Sequence, residues 1–209
     1  MSPPLPAFVV LAGAWLLGSI PWSWLLVRWR TGKDLAAEGS GNVGALNSLR
    51  VSRSRGLGVL ALGLDLLKGL AAVAGARACG QTEPTVLVAG VCCVAGHALN
   101  PWLTLARGRP SGGKGFASAA GAMLPCAPWL VAGWLGVLVA AYLLFRLVRG
   151  MRDEAPASLL ATLGMPVVAA VAYDAPTFWA SSALAVMMAV RLVPEVRGLL
   201  AAPPGAPPA

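Results

Sequence analysis

The segment GLGVLALGLDLLKGLAAVAGARAC, residues 56–79, decides the fold of this chain. It is long enough to cross the hydrocarbon core of a bilayer, which needs roughly 20 helical residues. Asp65 and Lys68 lie three positions apart within it, so a helix places both on one face. Each would cost about 3 kcal/mol at mid-bilayer if it faced lipid. The two must therefore pair or line a polar cavity, either as a structural ion pair between helices or as a support that orients loop residues.

The composition of the whole chain agrees with a membrane protein. Its 209 residues are 57% hydrophobic and only 11% charged, with a mean hydropathy of +0.73. So many apolar residues exceed what the core of a water-soluble domain can hold, so the sequence predicts an integral membrane protein. Further apolar stretches cover residues 8–29, 85–105, 116–148, 157–173 and 177–190.

The stretch 116–148 is too long for one ordinary span. Pro125 and Pro128 interrupt it, which predicts a helical hairpin with one short arm. The sequence as a whole predicts an all-α, polytopic bundle of about six to seven membrane helices, the last two being marginal in length. We expect one transmembrane domain over residues 1–198 and a disordered Pro/Ala-rich tail over 199–209. Positive charges follow the first apolar run instead of preceding it, so no cleavable targeting segment is predicted.

The basic residues predict the orientation in the membrane. Of the 16 lysines and arginines, all but Lys68 and Arg77 fall in residues 28–55, 107–114, 146–152 and 191–197. If the N-terminus is outside and the stretch 116–148 is a hairpin, these segments all lie in the cytoplasm. The net charge of +8 also suits contact with anionic membrane lipids. Nucleic acid is not an expected partner, because no basic run is interleaved with aromatic residues in a soluble module.

The first of two glycine-rich loops is EGSGNVGALNSLR, residues 38–50. Its glycines allow successive backbone N–H groups to converge, while hydroxyl and amide side chains add donors. An arginine fork at the end of the loop suits phosphate or carboxylate. A helix cap is the simpler alternative, because serine and asparagine commonly precede a helical turn. The residues predicted to bind phosphate here are Gly41, Asn42, Gly44, Asn47 and Arg50, with Ser40 as a candidate catalytic residue.

The second glycine-rich loop is RGRPSGGKG, residues 107–115, which runs directly into the apolar stretch at Phe116. Amides at the start of a helix there would bind an anion, with Lys114 as a mobile positive charge and candidate catalytic residue. The loop nearly matches a nucleotide-binding P-loop, but glycine replaces the Ser or Thr that would hold magnesium, and no βαβ context precedes it. An ATPase or GTPase is therefore not predicted. The expected phosphate-binding glycines are Gly112, Gly113 and Gly115.

His97, the only histidine, lies near the predicted cytoplasmic end of the third span. Its ordinary pKa suits proton transfer near neutrality, but a lone histidine is also a common structural hydrogen-bond donor. Both interpretations stay open. One histidine cannot complete a hydrolase triad or a zinc site, and the four cysteines lack metal-ligand spacing. The sequence therefore indicates no metal or other cofactor.

Five motifs occur in an order that resembles a known family. They are GSIPW at 18–22, GSGNVGALNSLR at 39–50, DLLKG at 65–69, GH at 96–97 with Pro101, and GGKGFAS at 112–118. Together they resemble the acyl-phosphate:glycerol-3-phosphate acyltransferases of bacterial membranes over roughly the first 120 residues. The resemblance implies that acyl phosphate and glycerol 3-phosphate are the substrates, and lysophosphatidate and phosphate the products. It implies no metal and no coenzyme A thioester. The short match around Ser158 resembles a family serine, which gives that residue a supporting role beside Asp65 and Lys68.

The chain departs from the family pattern at three places. Leu46 stands where the family commonly has threonine, and about four extra residues separate Pro101 from Gly112. Near the C-terminus the family usually carries a histidine followed by an asparagine, whereas residues 191–198 read RLVPEVRG. Substrate-assisted chemistry, with a phosphate oxygen taking the proton and His97 covering part of the role, would tolerate that loss. A diverged member with an altered acceptor or little activity is the alternative.

A protein of another class could use the same loops. A non-catalytic membrane protein that binds or transports a small phosphorylated anion would also need basic, glycine-rich segments. Transporters usually show internal repeats and a polar residue set at mid-membrane. Here the polar motifs concentrate at one predicted face and no repeat is evident, which favours the acyltransferase.

Overall fold

The computed structural model describes residues 5–149 and 154–201, and within these ranges the chain is helical with no strand. It divides into two compact units, Met1–Cys126 and Ala127–Ala209. The described helices of the first unit are α1 (Ala7–Gly18), α2 (Trp22–Thr31), α3 (Ala45–Ser52), α4 (Arg55–Ala78), α5 (Glu83–Ala98), α6 (Pro101–Arg107) and α7 (Phe116–Met123). Those of the second unit are α8 (Pro128–Arg149), α9 (Ala155–Ala172) and α10 (Ala175–Ala201).

Six segments of the described residues are long and apolar enough to cross a membrane. They are Ala7–Thr31, Arg55–Ala78, Glu83–Arg107, Pro128–Val148, Ala155–Ala172 and Ala175–Leu199. With the short helix α7 beside them, the prediction of an all-α bundle of about six to seven membrane helices is confirmed. The chain is a multi-pass membrane protein.

Prolines set the breaks within the long apolar stretches. The stretch 116–148 divides as predicted, because α7 ends at Met123 and α8 begins at Pro128. Proline is favourable at the first position of a helix, since the N–H that it lacks would have no partner within the helix. The first span contains a break that was not predicted, since α1 ends at Gly18 and α2 begins only after Pro21. The first loop also holds a short helix, α3, that the sequence analysis did not place, and the apolar stretch 85–105 is interrupted before Pro101, where α5 ends at Ala98 and α6 begins.

Backbones in the first unit cross at distances that exclude side chains. A Cβ on Gly18 would lie 1.9 Å from the Cys93 carbonyl oxygen, so α1 and α5 touch directly. Helices α4 and α7 cross in the same way, with a Cβ on Gly69 or Gly121 falling 2.0 Å from a carbonyl oxygen of the other helix. Close packing of small residues is the main way in which helices associate without water. These crossings bring the end of α5 and the start of α7 next to the middle of α4.

The second unit is an apolar helical layer in which α9 packs against both α8 and α10. The Tyr173 hydroxyl accepts a hydrogen bond from the Leu130 N–H at 3.1 Å, and Asp174 caps α10 by accepting from the Thr177 N–H at 3.1 Å. Exposed at the surface, Asp174 has its pKa lowered by the side-chain and backbone hydrogen bonds of Thr177.

The last helix is longer than predicted. Helix α10 continues to Ala201 with Pro194 inside it, and the span covers Ala175–Leu199, so the prediction that the last span is marginal in length was wrong. Proline is tolerated in membrane helices. A helix can also extend into the membrane interface with long basic side chains on it, because their charged ends reach water. Residues 199–201 of the predicted tail are therefore helical, and residues 202–209 lie outside the described residues.

Candidate active site

The second glycine-rich loop is fixed against the C-terminal end of α5. The Gly113 N–H donates to the His97 carbonyl oxygen at 3.1 Å. A Cβ on Gly112 would lie 2.2 Å from the Ala98 carbonyl oxygen, and a Cβ on Gly113 would lie 1.9 Å from His97 Nε2. Both residues must be glycine because the loop backbone occupies the space of a side chain. Gly112 and Gly113, two of the glycines predicted to bind phosphate, therefore pack directly against the backbone and the histidine ring at the end of α5.

The loop ends where a new helix begins. Gly115 has a φ of 91°, a left-handed conformation that favours glycine, and the helix α7 starts at the next residue, Phe116. Lys114 lies at this start and is 8% exposed. The predicted juxtaposition of a lysine with the N-terminus of a helix is present in the structure, and the amides and dipole of that terminus favour an anion.

Asn47 organises the first loop from within. Its Nδ2 donates to the carbonyl oxygens of Leu35 at 3.0 Å and Glu38 at 2.9 Å. Its Oδ1 accepts from the Ser40 N–H at 3.1 Å, and the side chain is buried. Since both amide hydrogens are used by the loop, Asn47 has none left for a phosphate. Its part in the site is to shape the backbone, which corrects the predicted direct contact.

The other predicted residues of the first loop lie at its surface and at the helix that follows it. Ser40 is exposed, whereas Gly41, Asn42 and Gly44 are partly buried. Helix α3 begins directly after Gly44, which makes no side-chain capping bond, so a helix does start here, but not from a serine or asparagine cap. Arg50 lies on α3 and is exposed. The segment therefore presents an exposed hydroxyl before α3 and an exposed arginine on α3.

The two glycine-rich loops are joined to each other. The Val43 N–H donates to the Gly112 carbonyl oxygen at 3.3 Å. The Arg107 guanidinium forms an ion pair with Asp34 and donates from Nη2 to the Ala36 carbonyl oxygen at 3.1 Å. These contacts place Lys114 and the first loop on the same end of the unit. Neither Asp34 nor Arg107 was predicted as a site residue, because their separation in sequence gives no hint of contact.

Asp34 has an unusually well-bonded carboxylate. Burial alone would raise its pKa, but hydrogen bonds from the Trp24 indole, the Ala36 N–H and Arg107, with the charge of that arginine, outweigh burial and lower it. The Trp24 Nε1 donates to Asp34 Oδ1 at 2.8 Å, and the Ala36 N–H donates to the same oxygen at 3.1 Å. The carboxylate thus stays ionised and joins the segment just before the first loop to α2 and α6.

Asp65 and Lys68 form the predicted pair and are joined by His97. The Lys68 Nζ lies 2.9 Å from Asp65 Oδ1 and 2.7 Å from His97 Nδ1. It also donates to the Ile20 carbonyl oxygen at 3.2 Å, at the break between α1 and α2. Ser23 donates to Asp65 Oδ2 at 3.2 Å. All three ionisable residues are buried, and they form one network whose histidine lies against Gly113.

Asn100 is a positioning residue that the sequence analysis missed. Its Oδ1 accepts from the Leu103 N–H at 3.0 Å and caps α6, while its Nδ2 donates to the Ser19 carbonyl oxygen at 2.6 Å. An asparagine followed by proline is a typical helix start, so this signal was available in the sequence. The cap ties the chain entering the second loop to the end of α1.

Ser158 belongs to the second unit. It lies in the first turn of α9, its side chain is 3% exposed, and its N–H donates to the Glu154 carbonyl oxygen at 2.9 Å. Its predicted supporting role remains a prediction.

Comparisons with known proteins agree on one family. The family model described as glycerol-3-phosphate acyltransferase matches residues 8–202, well beyond the first 120 residues in which the motifs were found. The glycerol-3-phosphate acyltransferase of Trichlorobacter lovleyi is 37% identical over 158 residues, which are 76% of this chain and 75% of that protein. The enzyme of the same name from Geobacter sulfurreducens is 36% identical over 166 residues, 79% of each chain.

Solved structures give the same answer. The chain resembles crystalline PlsY (YgiH), an integral membrane glycerol 3-phosphate acyltransferase, in its glycerol 3-phosphate form. The TM-score is 0.79 at 26% identity, over 93% of this chain and 92% of that chain. A match over almost the whole chain agrees with the family model, which covers residues 8–202. The chain belongs to the glycerol-3-phosphate acyltransferase family.

Proposed function

We propose that this protein transfers the acyl group of an acyl phosphate to a hydroxyl of glycerol 3-phosphate, giving lysophosphatidate and phosphate. The observation that carries the proposal is the hydrogen bond between Val43 and Gly112, which joins the two glycine-rich loops. Support also comes from the names of the relatives and from the glycerol 3-phosphate form of the PlsY neighbour.

The reaction exchanges one bond to the acyl carbon for another. The hydroxyl oxygen of glycerol 3-phosphate attacks the acyl carbon, and the bond from that carbon to the phosphate oxygen breaks. The proton of the hydroxyl leaves on a phosphate oxygen. Because acyl phosphate already carries a good leaving group, catalysis can rest on holding two anions together and stabilising the departing charge.

Each loop has a distinct task in this mechanism. Lys114 and the amides at the start of α7, with Gly112, Gly113 and Gly115, stabilise the departing phosphate. Arg50 binds the phosphate of the acceptor through its planar fork, while Ser40 and Asn42, flanking Gly41 and followed by Gly44, align it. The acyl tail lies among the helices or in the lipid. No metal or other cofactor enters the mechanism.

The site is proposed to face the cytoplasm from the plasma (inner) membrane of a bacterial cell. Both loops and most basic residues of the first unit lie at one end of it, and cytoplasmic loops are the ones enriched in lysine and arginine. Cysteines introduced at Ser40 and at Thr82, in a background without the four native cysteines, test the orientation. A membrane-impermeant thiol reagent applied to intact cells should label Thr82→Cys and spare Ser40→Cys. The reverse pattern would invert the topology.

The decisive experiment is an acylation assay on purified protein in detergent or lipid. Acyl phosphates of several chain lengths and glycerol 3-phosphate should yield lysophosphatidate, beside an active enzyme of the same family as a positive control. Lys114→Ala and Arg50→Ala should each lower the rate at least about tenfold, or about 1.4 kcal/mol in the barrier. Arg30→Ala, which removes an exposed arginine on α2, is the matched control and should leave the rate unchanged. Absence of product with every donor, combined with measurable binding of glycerol 3-phosphate, would favour the non-catalytic anion-binding alternative.

A further inference from the structure

We propose that His97 is a positioning residue for the second loop, held by Lys68 in the neutral form that is protonated at Nε2. The inference concerns the site of the proposed acyltransferase and rests on that function for its kinetic arm. Its structural arm is independent of any activity.

The hydrogen bonds of Lys68 determine the tautomer of His97. A lysine ammonium has three hydrogens to donate and no lone pair to accept with. Three acceptors surround Lys68 Nζ: Asp65 Oδ1 at 2.9 Å, the Ile20 carbonyl oxygen at 3.2 Å and His97 Nδ1 at 2.7 Å. His97 Nδ1 therefore accepts, and the proton of the neutral ring is on Nε2.

The charges of the network keep the ring neutral. Asp65 and Lys68 already compensate each other, and Ser23 donates to the second carboxylate oxygen at 3.2 Å. His97 Nδ1 also lies 3.6 Å from Asp65 Oδ1, but that oxygen is already paired with Lys68 at 2.9 Å. A protonated His97 would therefore place a second cation 2.7 Å from the ammonium, in a position where the histidine is only 6% exposed. Like charges at such distances disfavour the charged form. The Nδ1 lone pair is occupied and Nε2 already carries a hydrogen, so the ring has no site to receive a proton from substrate.

The ring and the backbone of His97 both act on the same glycine. A Cβ on Gly113 would lie 1.9 Å from His97 Nε2, and the Gly113 N–H donates to the His97 carbonyl oxygen at 3.1 Å. Gly113 directly precedes Lys114. The network thus fixes the backbone from which the phosphate-binding lysine extends, and its charged members come from α4 and its histidine from α5.

Nuclear magnetic resonance of the native chain tests the tautomer directly. His97 is the only histidine, so ¹⁵N-histidine labelling of the full-length protein in detergent gives the signals of one ring. We expect an unprotonated Nδ1 and a protonated Nε2 at pH about 7. A proton on Nδ1, from the other tautomer or from a charged ring, would overturn the proposal.

Kinetics distinguish positioning from proton transfer. His97→Asn offers Lys68 an amide oxygen close to the place of Nδ1, but an amide cannot exchange protons as an imidazole does. Loss of a general base costs about 100-fold or more. We expect the rate of the His97→Asn variant to be within about tenfold of the native rate, with an unchanged pH profile of kcat/KM. This variant should also be faster than His97→Ala.

The opposite kinetic result is equally clear. If His97→Asn is as slow as His97→Ala, and a limb of the native pH profile disappears in both, His97 transfers protons and the proposal is wrong. Failure of the acyltransferase function would show as an inactive native protein beside an active control. The resonance experiment would still decide the state of His97 in that case.

Discussion

The two glycine-rich loops reach one site by opposite means. The first loop is shaped by side chains, because Asn47 and Asp34 make four hydrogen bonds to the backbone of Leu35, Ala36, Glu38 and Ser40. The side chain of Asp34 is itself held by the ion pair with Arg107. The second loop is shaped by the absence of side chains, because Gly112 and Gly113 lie against the backbone and ring at the end of α5. The first loop should therefore respond to lost hydrogen bonds, and the second to any added atom.

The largest effect is expected where an atom is added to the second loop. Gly113→Ala would place a Cβ 1.9 Å from His97 Nε2, so either the ring or the loop must move. A displacement of about 1 Å in a catalytic site can cost about 100-fold in rate, and we expect a loss of at least that size in the acylation assay.

A glycine without close neighbours provides the control for this substitution. Gly75 lies in α4 with nothing within 4 Å of its Cβ position, so Gly75→Ala should leave activity unchanged and add up to about 1 kcal/mol of helix stability. Equal activity of the Gly113→Ala and Gly75→Ala variants would show that the second loop is not rigid.

A smaller effect is expected when a side chain is removed from the first loop. Asn47→Ala deletes three hydrogen bonds to the loop backbone, each worth about 1 kcal/mol, and should lower the free energy of unfolding by about 3 kcal/mol. Thermal unfolding in detergent measures the loss.

Asn42→Ala separates shape from substrate contact in the same loop. Asn42 is partly buried, and its proposed task is to align the acceptor. We expect Asn42→Ala to reduce activity with little change in Tm, whereas Asn47→Ala reduces both. A fall in Tm of the same size in the two variants would contradict the different tasks assigned to the two asparagines.

The smallest effect concerns the pH dependence of the Asp34 ion pair. The pKa of this carboxylate is lowered in the folded protein, so its contribution is complete above the unfolded pKa, about 4, and is lost as the pH falls through the lower folded value. Asp34→Asn should reduce stability at pH about 7 by at most about 1 kcal/mol, because the pair is partly exposed. The difference in Tm between variant and native protein should shrink as the pH falls below about 4. A difference that grows toward acid pH would show that the carboxylate is not stabilising.

The sequence predicted those parts of the protein that depend on local pattern. Hydropathy gave the membrane helices, the proline pair gave the break before α8, and the three-residue spacing gave the Asp65–Lys68 pair. The start of α7 after Gly115 followed from the change of a polar loop into an apolar run. Each of these features is decided by residues close together in the chain.

Contacts between distant residues could not be predicted in this way. The ion pair of Asp34 with Arg107 joins residues 73 positions apart, and nothing in either neighbourhood specifies the other. The approach of Gly113 to His97 depends on how α5 meets the loop. Asn47 was assigned to phosphate because its amide could serve either a ligand or the backbone, and only the folded loop shows which.

The hydrogen bond from Val43 to Gly112 has a consequence for how the site can change over generations. It joins two main chains, so no exchange of side chains except Val43→Pro removes its donor, and an insertion or deletion between the paired positions and their helices is needed to shift its register. Residues such as Leu46 can therefore drift while the spacing between the two glycine-rich loops is inherited unchanged.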